Sequence, residues 1–372
     1  MWLLLRRVIA LAELIGLPRA SIASPSLGGR RGQKAEVWEA ICAIDRISSI
    51  MWSLPLATAH YPLPKPPLID SEGHVRPQAY LYHLADIASR VLELDHISSS
   101  GRPLTELFNA VIGTDQELTS LARLAPKSWW KIHWSELSID ALLQHWHQYL
   151  TVRTHLQLAL TYDEDQRFAF DFITCLDACQ ELARRYISLR PILPAGFFVN
   201  RVIDLQAFTA AVFLLLARSR TARGSGTFPH AVDLDFTIVD QVVHVMETAA
   251  DRAGGEFAHQ AADAVRSLSS LLQEPQMSES QKITLSLPLA GKIHVSRKSD
   301  AAKSVPPPQR PRPTTSGDGS DLASQTMPFR SSELDLNSLS YSIEVPENYS
   351  FLTDEAFGTE QWLTWTGLDS NG

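Results

Sequence analysis

Apolar residues recur at three- and four-residue spacing through most of the stretch from residue 3 to residue 273, and strict alternation is nearly absent before residue 283. That period places each apolar set on one face of a helix, and helices with one apolar face close a core by packing against each other. The fold class it predicts is all-α. A chain of 372 residues with 45% hydrophobic content is long and apolar enough to build such a core as one large helical body.

The expected helices follow in order. Residues 3–16 carry Leu4, Val8, Leu11, Leu14 and Ile15, with Gly16 where a C-cap belongs. The chain thus opens on a helix with no capping residue, as though inside a domain. A Ser/Gly/Pro loop fills 21–33. Residues 34–53 return to helical period with Val37, Ile41, Ile44, Ile47 and Met51 on one face, and the proline-rich 54–77 reads as an extended connection. Further helices are expected at about 78–95, 136–160 (Leu142, Trp146, Tyr149, Leu150, Leu156), 168–189 (with Phe172, Leu176, Cys179, Ala183 and Tyr186 on one stripe), 201–218, 235–252 and 257–273. In the fourth of this set, Val202, Leu205, Phe208, Val212, Phe213 and Leu216 leave few polar faces, so that helix should be central. Ile283–Leu287 and Lys292–Val295 alternate, as a small β-hairpin would.

Composition then divides the chain. The helical pattern, with its hairpin, occupies 1–295. Residues 296–345, with the tract Pro306-Pro307-Pro308 and a long Ser/Thr/Gly run, are too poor in apolar residues for a core and read as a disordered linker. Residues 346–372 are acidic and aromatic. The net charge of −8 argues against a chain-wide nucleic-acid surface, and it sits mostly in the tail: residues 313–372 hold ten acids against one Arg. The basic stretch 297–312 suits nuclear import, a loose phosphate contact, or a solvated linker. Three cysteines do not make a disulfide framework and point to a reducing compartment. Arg6, Arg7 and Glu13 interrupt the leading leucines, which argues against a signal peptide. No uninterrupted apolar run reaches the roughly 18 residues a membrane span needs.

Candidate chemistry is sparse. Cys175 and Cys179 share a helix face but lack further ligands at zinc spacing, so they read as core residues. His145 and His147 point to different sides of a helix and cannot chelate one ion, and they read, with His155, as surface or satisfied core histidines. Trp129, Trp130 and Trp134 read as an interhelical anchor. Asp163, Glu164 and Asp165 sit on a turn and read as a solvated loop. No nucleophile elbow, phosphate loop or dinucleotide fingerprint occurs, so no catalytic constellation is assigned. An enzyme reading would require a His–carboxylate pair or two perturbed carboxylates in a pocket. The tail differs: Phe357, Trp362, Trp365 and Leu368 stand among acids and can share one face of a short induced helix. Acids of that kind keep aromatics solvated until a partner groove accepts them.

Several segments resemble one family in order and spacing. They are Ala10–Leu17, ending in a Gly-Leu turn; Arg30-Arg31 followed by Trp38, Asp45-Arg46 and Leu54-Pro55; Cys175–Ala183 with Arg190; and Asp204–Phe208 with Leu214-Leu215-Leu216. Over about residues 5–295 the chain resembles the regulatory, or middle-homology, domain of fungal zinc-cluster transcription factors. Arg30, Arg31, Trp38, Asp45, Arg46 and Pro55 are its structural signature, with Arg46 expected to pair near Asp45. The resemblance implies a nuclear, non-catalytic regulator of a metabolic or secondary-metabolite gene set, with a tail that recruits transcriptional machinery or a co-activator. It allows a homodimer. The family's six-cysteine zinc module is not among these residues, and Met1 falls where the family's domain is already under way. Zinc and DNA contact are therefore expected only through a missing N-terminal module or a partner. The rival readings are a helical scaffold or ligand-binding protein, and a helical enzyme.

Overall fold

The computed structural model describes residues 2–19, 32–52, 54–132, 134–161, 166–222, 237–273, 282–287, 291–297, 334–336 and 339–344. The chain divides into two compact units, 1–272 and 273–372.

The first unit is all-α, as the periodicity predicts. Its helices are α1 (Trp2–Leu14), α2 (Gln33–Trp52), α3 (Pro77–Ser99), α4 (Leu104–Leu124), α5 (Ile139–Leu160), α6 (Ala169–Leu189), α7 (Phe198–Ala222), α8 (Thr237–Ala250) and α9 (Glu256–Gln273). Local chemistry sets their ends. Gly16 takes φ 78° just after α1, a backbone that other residues adopt at a cost. Pro77 starts α3 at a position where a missing N–H costs nothing, and the Ser138 hydroxyl accepts from Ala141 N at 3.1 Å to cap α5. Gly196 N donates to Ala253 O at 2.7 Å, which joins the α6–α7 loop to the α8–α9 turn. A side chain on Gly255 would overlap the Ala249 carbonyl there.

α5 and α6 pack along each other, with α7 against α6 and α3 and α4 against α5. α7 is the described helix long and apolar enough to cross a membrane, yet most of it is buried within the unit, where Asn200, Asp204 and Gln206 also lie. The expectation of a central helix holds. On α6 the expected stripe Phe172, Leu176, Cys179, Ala183 and Tyr186 is buried throughout.

Three helical faces differ from expectation. α1 buries Ile9 and Ala12, whereas Leu4, Val8, Leu11, Leu14 and Ile15 are exposed, Leu14 by 82%. Periodicity identifies a face that could be buried; it does not supply the neighbour that covers it. On α2, Val37 and Ile44 are exposed, and Trp38, Cys42, Asp45, Arg46, Ser49 and Ile50 face inward. On α5 the buried side holds Gln144, His145, His147, Thr154 and His155 as well as Leu143, Leu150 and Leu158. Helix α4 occupies a stretch to which the sequence reading assigns no element. Its inward side is the narrow stripe Leu107, Val111, Thr114, Leu118 and Leu121.

In the second unit, β1 (Lys282–Leu287) pairs antiparallel with β2 (Gly291–Arg297), with Ile283 opposite Val295 and Leu285 opposite Ile293, where the sequence alternates. Strands β3 (Leu334–Leu336) and β4 (Leu339–Glu344) complete a sheet of order β1-β2-β4-β3; these two lie within the stretch read as linker.

The two leucines Leu150 and Leu11 separate core from exposed face. Leu150→Ala, at a fully buried position, is expected to lower stability by about 2–5 kcal/mol, while Leu11→Ala changes it by about 0.5 kcal/mol or less. Urea unfolding of both variants followed by circular dichroism checks this; a large loss from Leu11→Ala would show that the α1 stripe is covered.

Candidate functional site

The signature residues of α2 and its following loop form a buried clasp. Asp45 is fully buried, and its Oδ2 accepts from Ala57 N at 3.0 Å, Thr58 N at 2.9 Å and Thr58 Oγ1 at 2.9 Å. Arg6 of α1 approaches the other carboxylate oxygen at 3.7 Å and also donates to the Pro55 carbonyl. Arg46 does not pair with Asp45: its Nη2 donates to Tyr61 O at 2.7 Å. The Tyr61 ring meets Trp38 edge-on, with centroids 4.9 Å apart. Trp38, Asp45, Arg46 and Pro55 thus converge, folding the segment 54–61 back onto α1 and α2. Charge-assisted bonds to backbone amides are the strong kind, which is why a carboxylate can hold a loop in this way. Arg30 and Arg31, the other signature residues, lie outside the described residues, as do Phe357, Trp362, Trp365 and Leu368.

The other two resembling segments are tied to each other. Asp204 of α7 accepts from Arg190 Nε at 2.7 Å and Nη2 at 3.3 Å and from the Tyr186 hydroxyl at 2.8 Å, all three residues being buried. The helix carrying Cys175–Ala183 and the helix carrying Asp204–Phe208 are therefore joined by an ion pair. Cys175 and Cys179 are buried in the core, as read from sequence. Among the described residues no group of three or more His, Cys, Asp or Glu is placed to hold a metal. Burial pushes the third thiol, Cys42, up to about 11, so it is protonated and unreactive at neutral pH.

The histidines are core groups. His155 of α5 lies between two carboxylates: Nδ1 is 2.8 Å from Asp171 Oδ1 on α6, and Nε2 is 3.2 Å from Asp115 Oδ1 on α4. Burial works against its charge, but hydrogen bonds to Asp115 and Asp171 outweigh it and raise the imidazole above its ordinary pKa. This is the His–carboxylate pair that an enzyme reading asks for. Both ring nitrogens are committed to carboxylates, however, which leaves neither free to take a proton from a substrate. His145 and His147 diverge as expected. His145 Nε2 meets Gln206 Oε1 of α7 at 3.0 Å, and His147 Nδ1 meets the Tyr80 hydroxyl of α3 at 2.9 Å. Burial depresses both to about 3, so both are neutral.

The sequence reading missed a group around Arg185 of α6. This buried guanidinium lies over the Trp130 ring, 5.8 Å from its centroid, and Nη2 donates to Trp130 O at 3.2 Å. Tyr80, Trp129, Trp130 and His147 stack around it, with Trp129 4.6 Å from Tyr80 and Trp130 5.0 Å from His147. Trp130 Nε1 donates to Ala122 O at 3.2 Å, and the Gln144 amide donates to Trp129 O. The double tryptophan was the available signal, and it does anchor helices. Its arginine partner lies 55 positions away in sequence.

The chain is similar to several fungal proteins named as regulators or transcription factors. It is 24% identical to a protein of Aspergillus terreus named a dehydrocurvularin biosynthesis regulator, over 97% of this chain and 55% of that protein. A protein of the same name from Alternaria cinerariae is 24% identical over 73% of this chain and 37% of its own length. The transcription factor sdnS of Sordaria araneosa is 24% identical over 59% of this chain and 30% of its own. The chain spans between 30% and 55% of the length of these relatives. No protein-family model matches it, and no solved structure matches it. The names these relatives carry are those of biosynthesis regulators and a transcription factor.

The clasp and the imidazole each have a measurable consequence. Asp45→Ala leaves the Ala57 and Thr58 donors unpaired and is expected to lower stability by about 3 kcal/mol, against about 1 kcal/mol for Thr58→Val. Urea midpoints that do not separate the two variants would remove the clasp from its structural role. A raised imidazole pKa makes the His155 contribution fully present below the ordinary histidine value of 6.5 and lost as pH climbs through the folded-state pKa. His145 and His147, being depressed, act only on the acid side of that value. Stability should therefore fall above neutral pH, and His155→Gln should flatten that fall.

Proposed function

We propose that this chain is the regulatory region of a fungal transcription regulator of the zinc-cluster type, controlling a metabolic or secondary-metabolite gene set. The observation that carries the reading is similarity along nearly the whole chain to a protein named a biosynthesis regulator, covering 97% of these residues. Three features of the helical unit support it. The Trp38, Asp45, Arg46 and Pro55 signature closes into one structural clasp. The resembling segments of α6 and α7 are joined by Arg190 and Asp204. His155, the best candidate base, has no free nitrogen.

On this reading the protein acts in the nucleus and without catalysis. DNA contact comes from a zinc-cluster module outside these 372 residues or from a partner. The helical residues 1–295 form the regulatory body, 296–345 the linker, and 346–372 the activating tail. Phe357, Trp362, Trp365 and Leu368 are the side chains offered to transcriptional machinery or a co-activator. Their acidic neighbours keep them in water until an apolar groove takes them.

Deleting the gene in its host and sequencing total RNA is expected to show a coordinated loss of transcripts from one biosynthetic gene set; an unchanged transcriptome would overturn the regulator. The tail is tested separately. Residues 346–372 fused to a heterologous DNA-binding domain should activate a reporter, and Trp362→Ala with Trp365→Ala should silence it. A silent wild-type fusion would remove the tail from the mechanism.

A further inference from the structure

Buried polar groups in folded proteins nearly always find partners, and a cluster of exceptions calls for an occupant. One such cluster surrounds Arg185. Among the described residues, Arg185 Nε and Nη1, Gln144 Oε1, His145 Nδ1 and Trp129 Nε1 are buried without a hydrogen-bond partner. Arg185, Gln144 and His145 are each at least 98% buried, while Trp129 and Trp130 are half-buried. The set therefore combines enclosed polar side chains with two partly exposed tryptophans. Glu181 Oε2 forms an ion pair with Arg185 Nη1 at 3.6 Å, beyond hydrogen-bond distance, while its Oε1 meets Arg184 at 2.7 Å, so the Arg185 charge has a partner but its Nε and Nη1 protons have no acceptor.

The atoms define complementary chemistry. Arg185 and Trp129 present N–H donors, with the positive charge held inside. Gln144 offers a carbonyl oxygen, since its amide nitrogen is taken by Trp129 O. His145 offers an acceptor at Nδ1, since the Gln206 oxygen facing Nε2 requires the proton there. Trp129, Trp130 and Tyr80 supply ring faces and edges. Three donors, two acceptors, one charge and an aromatic wall match a flat molecule with an acid group at one edge and a hydroxyl at another.

We propose that the cluster of Arg185, Trp129, Trp130, Gln144 and His145 is a binding site for a small planar aromatic acid bearing a hydroxyl group. The carboxylate takes an unpartnered Arg185 N–H and the Trp129 N–H. The hydroxyl donates to Gln144 or His145, and the ring lies against the tryptophans. Its role as an effector site rests on the regulatory reading above; its binding does not, and the test is therefore a binding measurement on the purified full-length chain.

The probes are 6-hydroxy-2-naphthoate, 2-naphthoate and 2-naphthol, followed by calorimetry and by quenching of tryptophan fluorescence. For a ligand of this size, saturable one-to-one binding of 6-hydroxy-2-naphthoate is expected at a Kd below roughly 1 mM. 2-Naphthol, which lacks the acid, should bind at least about tenfold more weakly than 2-naphthoate, and loss of the hydroxyl should weaken binding less than loss of the acid. Arg185→Gln should weaken 6-hydroxy-2-naphthoate by about tenfold or more, as should Gln144→Glu by placing a second anion in the site. Because Arg185 is buried, Trp129→Phe at the half-exposed wall is the second variant. It keeps a ring, loses the N–H donor, and should weaken the acids without weakening 2-naphthol. Absence of saturable binding to the folded protein, which would leave ordered water as the occupant, overturns the proposal. So does equal binding of 2-naphthol and 2-naphthoate, or acid binding that Trp129→Phe leaves unchanged.

Discussion

The helical unit depends on buried carboxylates that must be satisfied by groups from other elements. Asp45 draws the 54–61 segment and Arg6 onto α2, Asp171 and Asp115 hold His155 between α4, α5 and α6, and Asp204 gathers Arg190 and Tyr186 at the α6–α7 junction. Apolar stripes alone would let helices slide or rotate against each other, because the hydrophobic effect has no direction. A buried charge has one arrangement in which its desolvation is offset, and missing it costs several kcal/mol. Such pairs need not add net stability over an apolar core. What they add here is register: each fixes one contact among three segments.

That division explains which parts of the fold are legible in sequence. The α6 stripe of Phe172, Leu176, Cys179, Ala183 and Tyr186 is dense in apolar residues, and periodicity alone places it inside. On α5 the same reasoning selects Leu142, Trp146, Tyr149, Leu150 and Leu156; Tyr149 and Leu150 are buried, but the other three are only half-buried, while Gln144, His145 and His155 are enclosed. Those residues are tolerated inside because their partners arrive from α3, α4, α6 and α7, and a single sequence carries no record of the pairing. Helix α4 was missed for a related reason: Thr114 and Gly113 dilute the middle of its stripe, and the Thr114 hydroxyl is satisfied locally by Ala110 O at 2.9 Å. The α1 face was legible as a face and misassigned as core.

The clasp shows the same limit at the level of the site. Resemblance singles out Trp38, Asp45, Arg46 and Pro55, and it even suggests that Asp45 and Arg46 act together. Their work is visible only once the chain reverses after α2. Asp45 then meets backbone amides 12 and 13 positions on, and Arg46 meets a carbonyl 15 positions on. Neither side chain is available to a ligand, so Asp45 and Arg46 hold the architecture.

The Arg185 group differs from these pairs in degree: Asp45 Oδ1, Asp171 Oδ2 and Arg190 Nη1 also lack a hydrogen-bond partner, but around Arg185 five such atoms gather. Asp204 and Asp171 lock helices because each has partners at hydrogen-bond distance on neighbouring helices. Arg185 reaches from α6 to the Trp129–Trp130 turn and pairs with Glu181, yet two of its nitrogens have no hydrogen-bond acceptor. A guanidinium in that condition is held at a free-energy cost by the packing around it. Any ligand that matches those nitrogens binds this arrangement of α3, α5 and α6 better than one in which Arg185 has swung toward solvent. A ligand shifts an equilibrium only by its differential affinity for two states. Buried donors without acceptors create such a difference, whereas donors already paired offer a ligand little to gain.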